Sequence, residues 1–180
     1  MLNIFRVLII LIIFFGCDDS QNVPKIKEKN VNYEIMPDQI SFDVEVFFAD
    51  SSFTKAVLKA KRARIYQKRM ETLLDGGIKV EFLSRFTGKR VSILTADSAR
   101  IDDKTKNMLS GGHVIVISDS SGTKLETTRL EWINETQKLY STEFVKIISP
   151  NETIQGYGFE SDQNLSNYKI FRVSGEQRQK

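Results

Sequence analysis

LTADSARIDDKTKNMLSGGHVIVIS, residues 94–118, and LETTRLEWINETQKLYSTEFVKIIS, residues 125–149, are two versions of one pattern. Leu94 aligns with Leu125, Ala99 with Leu130, Ile101 with Trp132 and Thr105 with Thr136. Met108 then aligns with Leu139, Val114 with Val145 and Ser118 with Ser149. A further copy starts near Ile154 and continues through Phe159 and Tyr168, and an earlier one covers Leu58 to Phe82. A period of about 30 residues that repeats short strands indicates stacked hairpin-like units. Each unit adds rungs to a sheet. The expected fold is all-β: an antiparallel sheet folded over on itself.

The strands themselves are legible by their period of two. FDVEVFF at 42–48, GIKVEFL at 77–83, RVSIL at 90–94 and FVKII at 144–148 alternate and are rich in Val, Ile and Phe, as half-buried strands are. Turn signals are expected at Asp75-Gly76-Gly77, Gly88-Lys89, Ser110-Gly111-Gly112, Ser120-Ser121-Gly122-Thr123 and Ser149-Pro150-Asn151-Glu152. Residues 54–74 are rich in helix formers, so helix is the rival there. Leu58 and Ala60 alternate with Lys59 and Lys61, and Ala63 and Ile65 then alternate with Arg62 and Arg64. That slip of phase favours strands, with a bulge or a tight turn at the slip.

The N-terminus is a targeting segment. Arg6 supplies a positive n-region, and Val7 to Phe15 is an unbroken apolar run of nine residues. A spanning helix needs roughly 20 apolar residues. The run stops at Gly16-Cys17, followed by Asp18-Asp19-Ser20. A small residue and a Cys ending a short apolar run resemble a bacterial lipoprotein signal, although Phe14 stands where Leu is usual. Cleavage before Cys17 and acylation of it are expected, and several acyl chains anchor stably where one is marginal. The alternative is an unmodified thiol behind an ordinary signal peptide or a short anchor helix. The expected organisation is a signal peptide at 1–16 and an acylated Cys17 with a polar tether through 39, punctuated by Pro24 and Pro37. A β domain follows at 40–176, with a tail at 177–180.

Composition excludes several classes. The net charge of +3 is too small for a nucleic-acid partner, which needs a concentrated basic face. The single Cys allows no intramolecular disulfide and no Cys-based metal site. The one His, His113, has no ligand pattern around it, and no G-x-S-x-G, H-E-x-x-H or P-loop string occurs. Gly156-Tyr157-Gly158 lacks the third Gly of a dinucleotide fingerprint and reads as a bulge or a close approach in a strand. Asp102-Asp103 reads as part of a turn, with a cation site as the alternative. No enzyme, cofactor or metal is expected. Lys55, Lys59, Lys61, Arg62, Arg64, Lys68 and Arg69 form a basic cluster. It is either a solvated strand face or edge or a contact for anionic groups such as lipid phosphates.

TIQGYGFESDQNLSNYKIFRVSGE at 153–176 resembles the C-terminal signature of the lipopolysaccharide-export family usually called LptC, in its lipoprotein-anchored form. VEVFFADSSFTKAVLKA at 44–60, GGIKVEFLS at 76–84, SILTADSARID at 92–102, GGHVIVISDSSGTKLETTRLEWI at 111–133 and KLYSTEFVKIISP at 138–150 are similar to its other stretches, in the same order. The resemblance implies a twisted, partly open β-jellyroll whose apolar interior receives the acyl chains of lipopolysaccharide. It implies receipt of lipid from an inner-membrane ABC transporter and transfer to a periplasmic bridge protein, with no ATPase activity in the chain itself. Enterobacterial members carry a transmembrane helix where this chain has a lipoprotein-like signal. Any regulatory role of that helix does not carry over.

By alternation the expected groove residues are Val46, Phe48, Leu58, Ile78, Val80, Phe82, Ile93, Ile101, Val114, Val116, Leu130, Trp132, Val145, Ile147 and Phe159. Each is equally well placed for plain core packing. Phe42, Val44, Tyr168, Ile170 and Phe171 are the expected partner-binding edges, and the last three also fit a final core strand. A binding or adhesion scaffold without lipid cargo is the competing function.

Overall fold

The computed structural model describes residues 36–50 and 52–178. The signal segment, Cys17 and the tether up to residue 35 lie outside the described residues. Among the described residues nine strands follow one another: β1 (Gln39–Ala49), β2 (Thr54–Tyr66), β3 (Glu71–Leu83), β4 (Arg90–Asp102), β5 (Met108–Ser118), β6 (Lys124–Ile133), β7 (Lys138–Ile148), β8 (Glu152–Asp162) and β9 (Tyr168–Arg178). Each pairs antiparallel with its chain neighbour, so spatial order equals chain order. Among the described residues, β1 and β9 are the two unjoined edges of one sheet.

Residues 54–74 form strands, not a helix. Leu58 and Ala60 face inward, and so does Ala63. The β2–β3 register shifts between Ala60 and Arg62. The slip of phase is a bulge inside β2, and the chain reverses only at 67–70.

Such interruptions recur at mid-strand in every ladder from β2–β3 to β8–β9. Together they form a crease across the sheet. Gly76 (φ 85°), Gly77 (φ 92°), Gly112 (φ 96°) and Gly158 (φ 78°) lie on it, and Asp43 (φ 49°) extends it into β1. These are left-handed conformations that favour glycine and tolerate Asp. The glycine pairs of Asp75-Gly76-Gly77 and Ser110-Gly111-Gly112 are therefore not turns between strands. They bend β3 and β5 in mid-course, because a two-against-one bulge redirects a strand without reversing it.

The crease keeps one face inward on both of its sides. In β2, β4 and β8 the inward positions flanking it are three residues apart: Ala60 and Ala63, Ala96 and Ala99, Gly156 and Phe159. In β3, β5 and β7 they are four apart: Leu74 and Ile78, Ser110 and Val114, Ser141 and Val145. Two walls result, facing each other. The small residues of β2 and β4 sit where the walls converge, and Phe48, Phe82 and Trp132 fill the wider end.

Candidate functional site: the interior between the walls

One wall carries Phe48, Leu58, Val80, Phe82, Leu94, Val116, Leu125, Val145 and Ile147 on its inner face. The other carries Leu74, Ile101, Met108, Leu130, Trp132, Leu139 and Phe159. Trp132 joins them. Its ring lies edge-on to Phe48 with centroids 5.1 Å apart and is tilted against Phe82 at 5.6 Å. Trp132, Phe82, Leu58, Val80 and Val116 are fully buried, so the walls touch in this conformation.

Fourteen of the fifteen groove candidates face this interior: Phe48, Leu58, Ile78, Val80, Phe82, Ile101, Val114, Val116, Leu130, Trp132, Val145, Ile147 and Phe159 are buried, and Val46 packs partly buried against them. Ile93 does not. It pairs with Glu81 and Ile117 on the outer face, while Ser92 and Leu94 point inward. Val91, Ile93 and Leu94 make two apolar phases available in this stretch. The inward phase contains a serine, whose hydroxyl donates to the Gln163 carbonyl.

The strand ends meet along a mouth opposite the crease, and among the described residues polar contacts clasp it at three places. Near β1, Lys55 Nζ donates to the Asn134 carbonyl at 3.2 Å and stands 3.8 Å from Asp50. The Asp50 carboxyl is held below its ordinary value, first by a hydrogen bond from the Ser52 amide. At mid-sheet, Gln163 Nε2 donates to the Leu83 carbonyl at 2.9 Å. At β9, the Tyr168 hydroxyl donates to Glu152 Oε1 at 3.4 Å, and burial pushes the phenol upward. Lys55 is thus a buried clasp and not part of a solvated basic face. Gln163 and Leu165, buried in the β8–β9 turn, carried no periodic signal because they belong to no strand.

A pocket of about 230 Å³ opens at the β1 end of the mouth, with Val46, Phe48 and Ile101 as its apolar part and Lys106, Asp103 and Asn134 at its polar part. Trp132 Nε1 is buried without a partner, an arrangement that costs about 1–3 kcal/mol. Of the edge candidates, Phe42 is strongly exposed and outward on β1, while Val44, Tyr168 and Ile170 pack against the core. Phe171 is exposed on β9. Among the described residues, none at the interior pairs a nucleophile with a base. His113 Nδ1 and Asp97 Oδ2, 2.8 Å apart, stand in solvent on the outer face.

The family model described as "Lipopolysaccharide-assembly, LptC-related" matches residues 5–172. Among solved structures, the chain is similar to LptH, the LptA-homologous periplasmic component of the conserved lipopolysaccharide transport device from Pseudomonas aeruginosa. The match has a TM-score of 0.51 and 17% identity over 65% of this chain and 82% of that one. At that identity the likeness shows the fold: an open, folded-over β-jellyroll. No curated protein sequence matches the chain.

Proposed function

The chain belongs to the LptC-related family of lipopolysaccharide-assembly proteins, and on that premise we propose that it is a passive conduit for lipopolysaccharide between two membranes. It receives the lipid from an inner-membrane ABC transporter at the β1 edge and passes it to a periplasmic bridge protein at the β9 edge. It does no chemistry of its own. A lipid on Cys17 holds it to the inner membrane from the periplasmic side.

The carrying observation is an apolar interior between two walls of a sheet whose edges stay unjoined. Acyl chains gain about 0.8 kcal/mol per CH₂ on leaving water. The walls touch, so lipid enters by replacing wall-to-wall contacts with chain-to-wall contacts. Unpaired edge strands are ready acceptors for a neighbouring sheet. The closed interior also suits a second reading, a protein-binding scaffold without lipid cargo.

Photo-crosslinkers at Val80 and Val116, with Ile93 as the outer-face control, separate the two. The conduit predicts lipopolysaccharide adducts at Val80 and Val116 that depend on ATP in the transporter, with none at Ile93. Folded protein that gives no adduct at either inward position leaves only the scaffold.

A further inference from the structure

The basic cluster of β2 splits in the fold. Arg62 and Arg64 point outward, away from the interior, and Arg64 lines one trough with Arg100 and Arg129 from two other strands. Cross-strand register places Arg64 beside Leu73, Leu73 beside Arg100, and Arg100 beside Leu109. Arg129 of β6 lies opposite Gly111 on the same face. Arginine and leucine thus alternate over consecutive strands, and with strands spaced about 4.8 Å apart, Arg64 and Arg100 stand roughly 10 Å apart along the row. Between them runs a trough of about 400 Å³, its floor kept low by Ser98 and Gly111. It continues past Arg100, Leu109 and Arg129 into an adjoining depression of about 480 Å³ that reaches Tyr140 and Phe171 and includes Glu131.

The charges are not used up internally. Asp75 accepts from Arg62 Nε at 2.8 Å and from one Nη of Arg64 at 3.0 Å. Arg64 Nε remains buried without a partner. Arg100 has only a long contact of 3.9 Å to Glu71, which Arg69 also engages. Arg129 has no carboxylate within 4 Å among the described residues. An excess of guanidinium groups around two leucines suits one chemistry. Guanidinium forks bind phosphate oxygens bidentately and from several directions, and the leucines accept an alkyl stem.

We propose that this outer trough is a second binding site, for a phosphate ester carried on an apolar chain. The trough opens on the outside of a wall, whereas the interior opens at the mouth opposite the crease. A lipid whose tails lie between the walls cannot place its own phosphate here, so the site stands or falls independently of the conduit. The phosphate ester comes either from a membrane phospholipid or from a separate lipopolysaccharide molecule.

The test uses the full chain in dodecyl maltoside micelles, titrated with dodecyl phosphate and followed by calorimetry. Saturable binding is expected, stronger than for inorganic phosphate. The R100Q/R129Q double variant should bind about tenfold or more weakly, the worth of a charge-assisted hydrogen bond, with its melting temperature unchanged. R100K/R129K, which keeps charge but loses the fork, should fall between. Displacement by phosphatidylglycerol identifies the membrane as the source, and displacement by lipopolysaccharide identifies the exported lipid. Equal affinity in wild type and R100Q/R129Q, inorganic phosphate binding as well as dodecyl phosphate, or displacement by neither lipid overturns the site.

Discussion

Phe48 of β1 stands edge-on to Trp132 of β6, with planes at 80°, and so ties the first strand of one wall to the sixth strand of the other. Trp132 is the chain's single tryptophan, so its fluorescence reports the state of the interior. Trp132→Ala and Phe48→Ala should each destabilise by about 3–5 kcal/mol. A double-mutant cycle in urea should return a coupling of about 0.5–1.5 kcal/mol, the aromatic pair itself. Additive losses would show that the rings fill space without recognising each other.

Parity of β4 makes a sharp contrast. Ile93→Ala removes an outward side chain and should cost under about 1 kcal/mol. Leu94→Ala empties a fully buried position and should cost about 2–5 kcal/mol. Equal losses in chemical denaturation would contradict the register.

Gly156 has no room for a side chain. A Cβ there would lie 2.2 Å from the Arg172 carbonyl oxygen of β9. Gly156→Ala should therefore push the edge strand outward at a cost of about 1–3 kcal/mol. Hydrogen exchange should show amides of β9 losing protection while those of β3 and β4 keep theirs. Uniform loss across the sheet would mean the clash is relieved elsewhere.

Acid stability should depend on Asp75. Hydrogen bonding from Arg62, with Arg64 adding its charge, holds its carboxyl below the ordinary 3.8. A depressed folded value stabilises the native state above the unfolded value, and the benefit disappears as pH falls through the folded one. Asp75→Asn should lower stability at neutral pH and make no difference once acid has protonated the wild-type group. Identical pH profiles of the urea midpoint for the two proteins would remove this role.

Much of the architecture was legible because the repeat copies structure. Leu94 and Leu125, Ala99 and Leu130, and Met108 and Leu139 are all buried in the fold, so aligned letters are aligned walls. The crease was harder to read. Gly-Gly is a turn signal by composition, and only pairing on both sides shows that Gly76-Gly77 bends β3 instead of ending it. Ile93 was misplaced because an inward serine broke the apolar phase. Lys55 looked solvated because its partner, Asn134, lies four strands away on the other wall. Contacts across the mouth join positions that no local period connects.

The crease also decides how the molecule can move. Each strand from β2 to β8 contributes to both walls, so neither can slide along the other. What remains soft is rotation about a spine, as between the covers of a book. Ladder hydrogen bonds couple each rung to the next, and widening at one rung strains its neighbours more than distant ones. A tail threaded in at one edge would therefore advance as a travelling blister, the covers closing behind it as they part ahead.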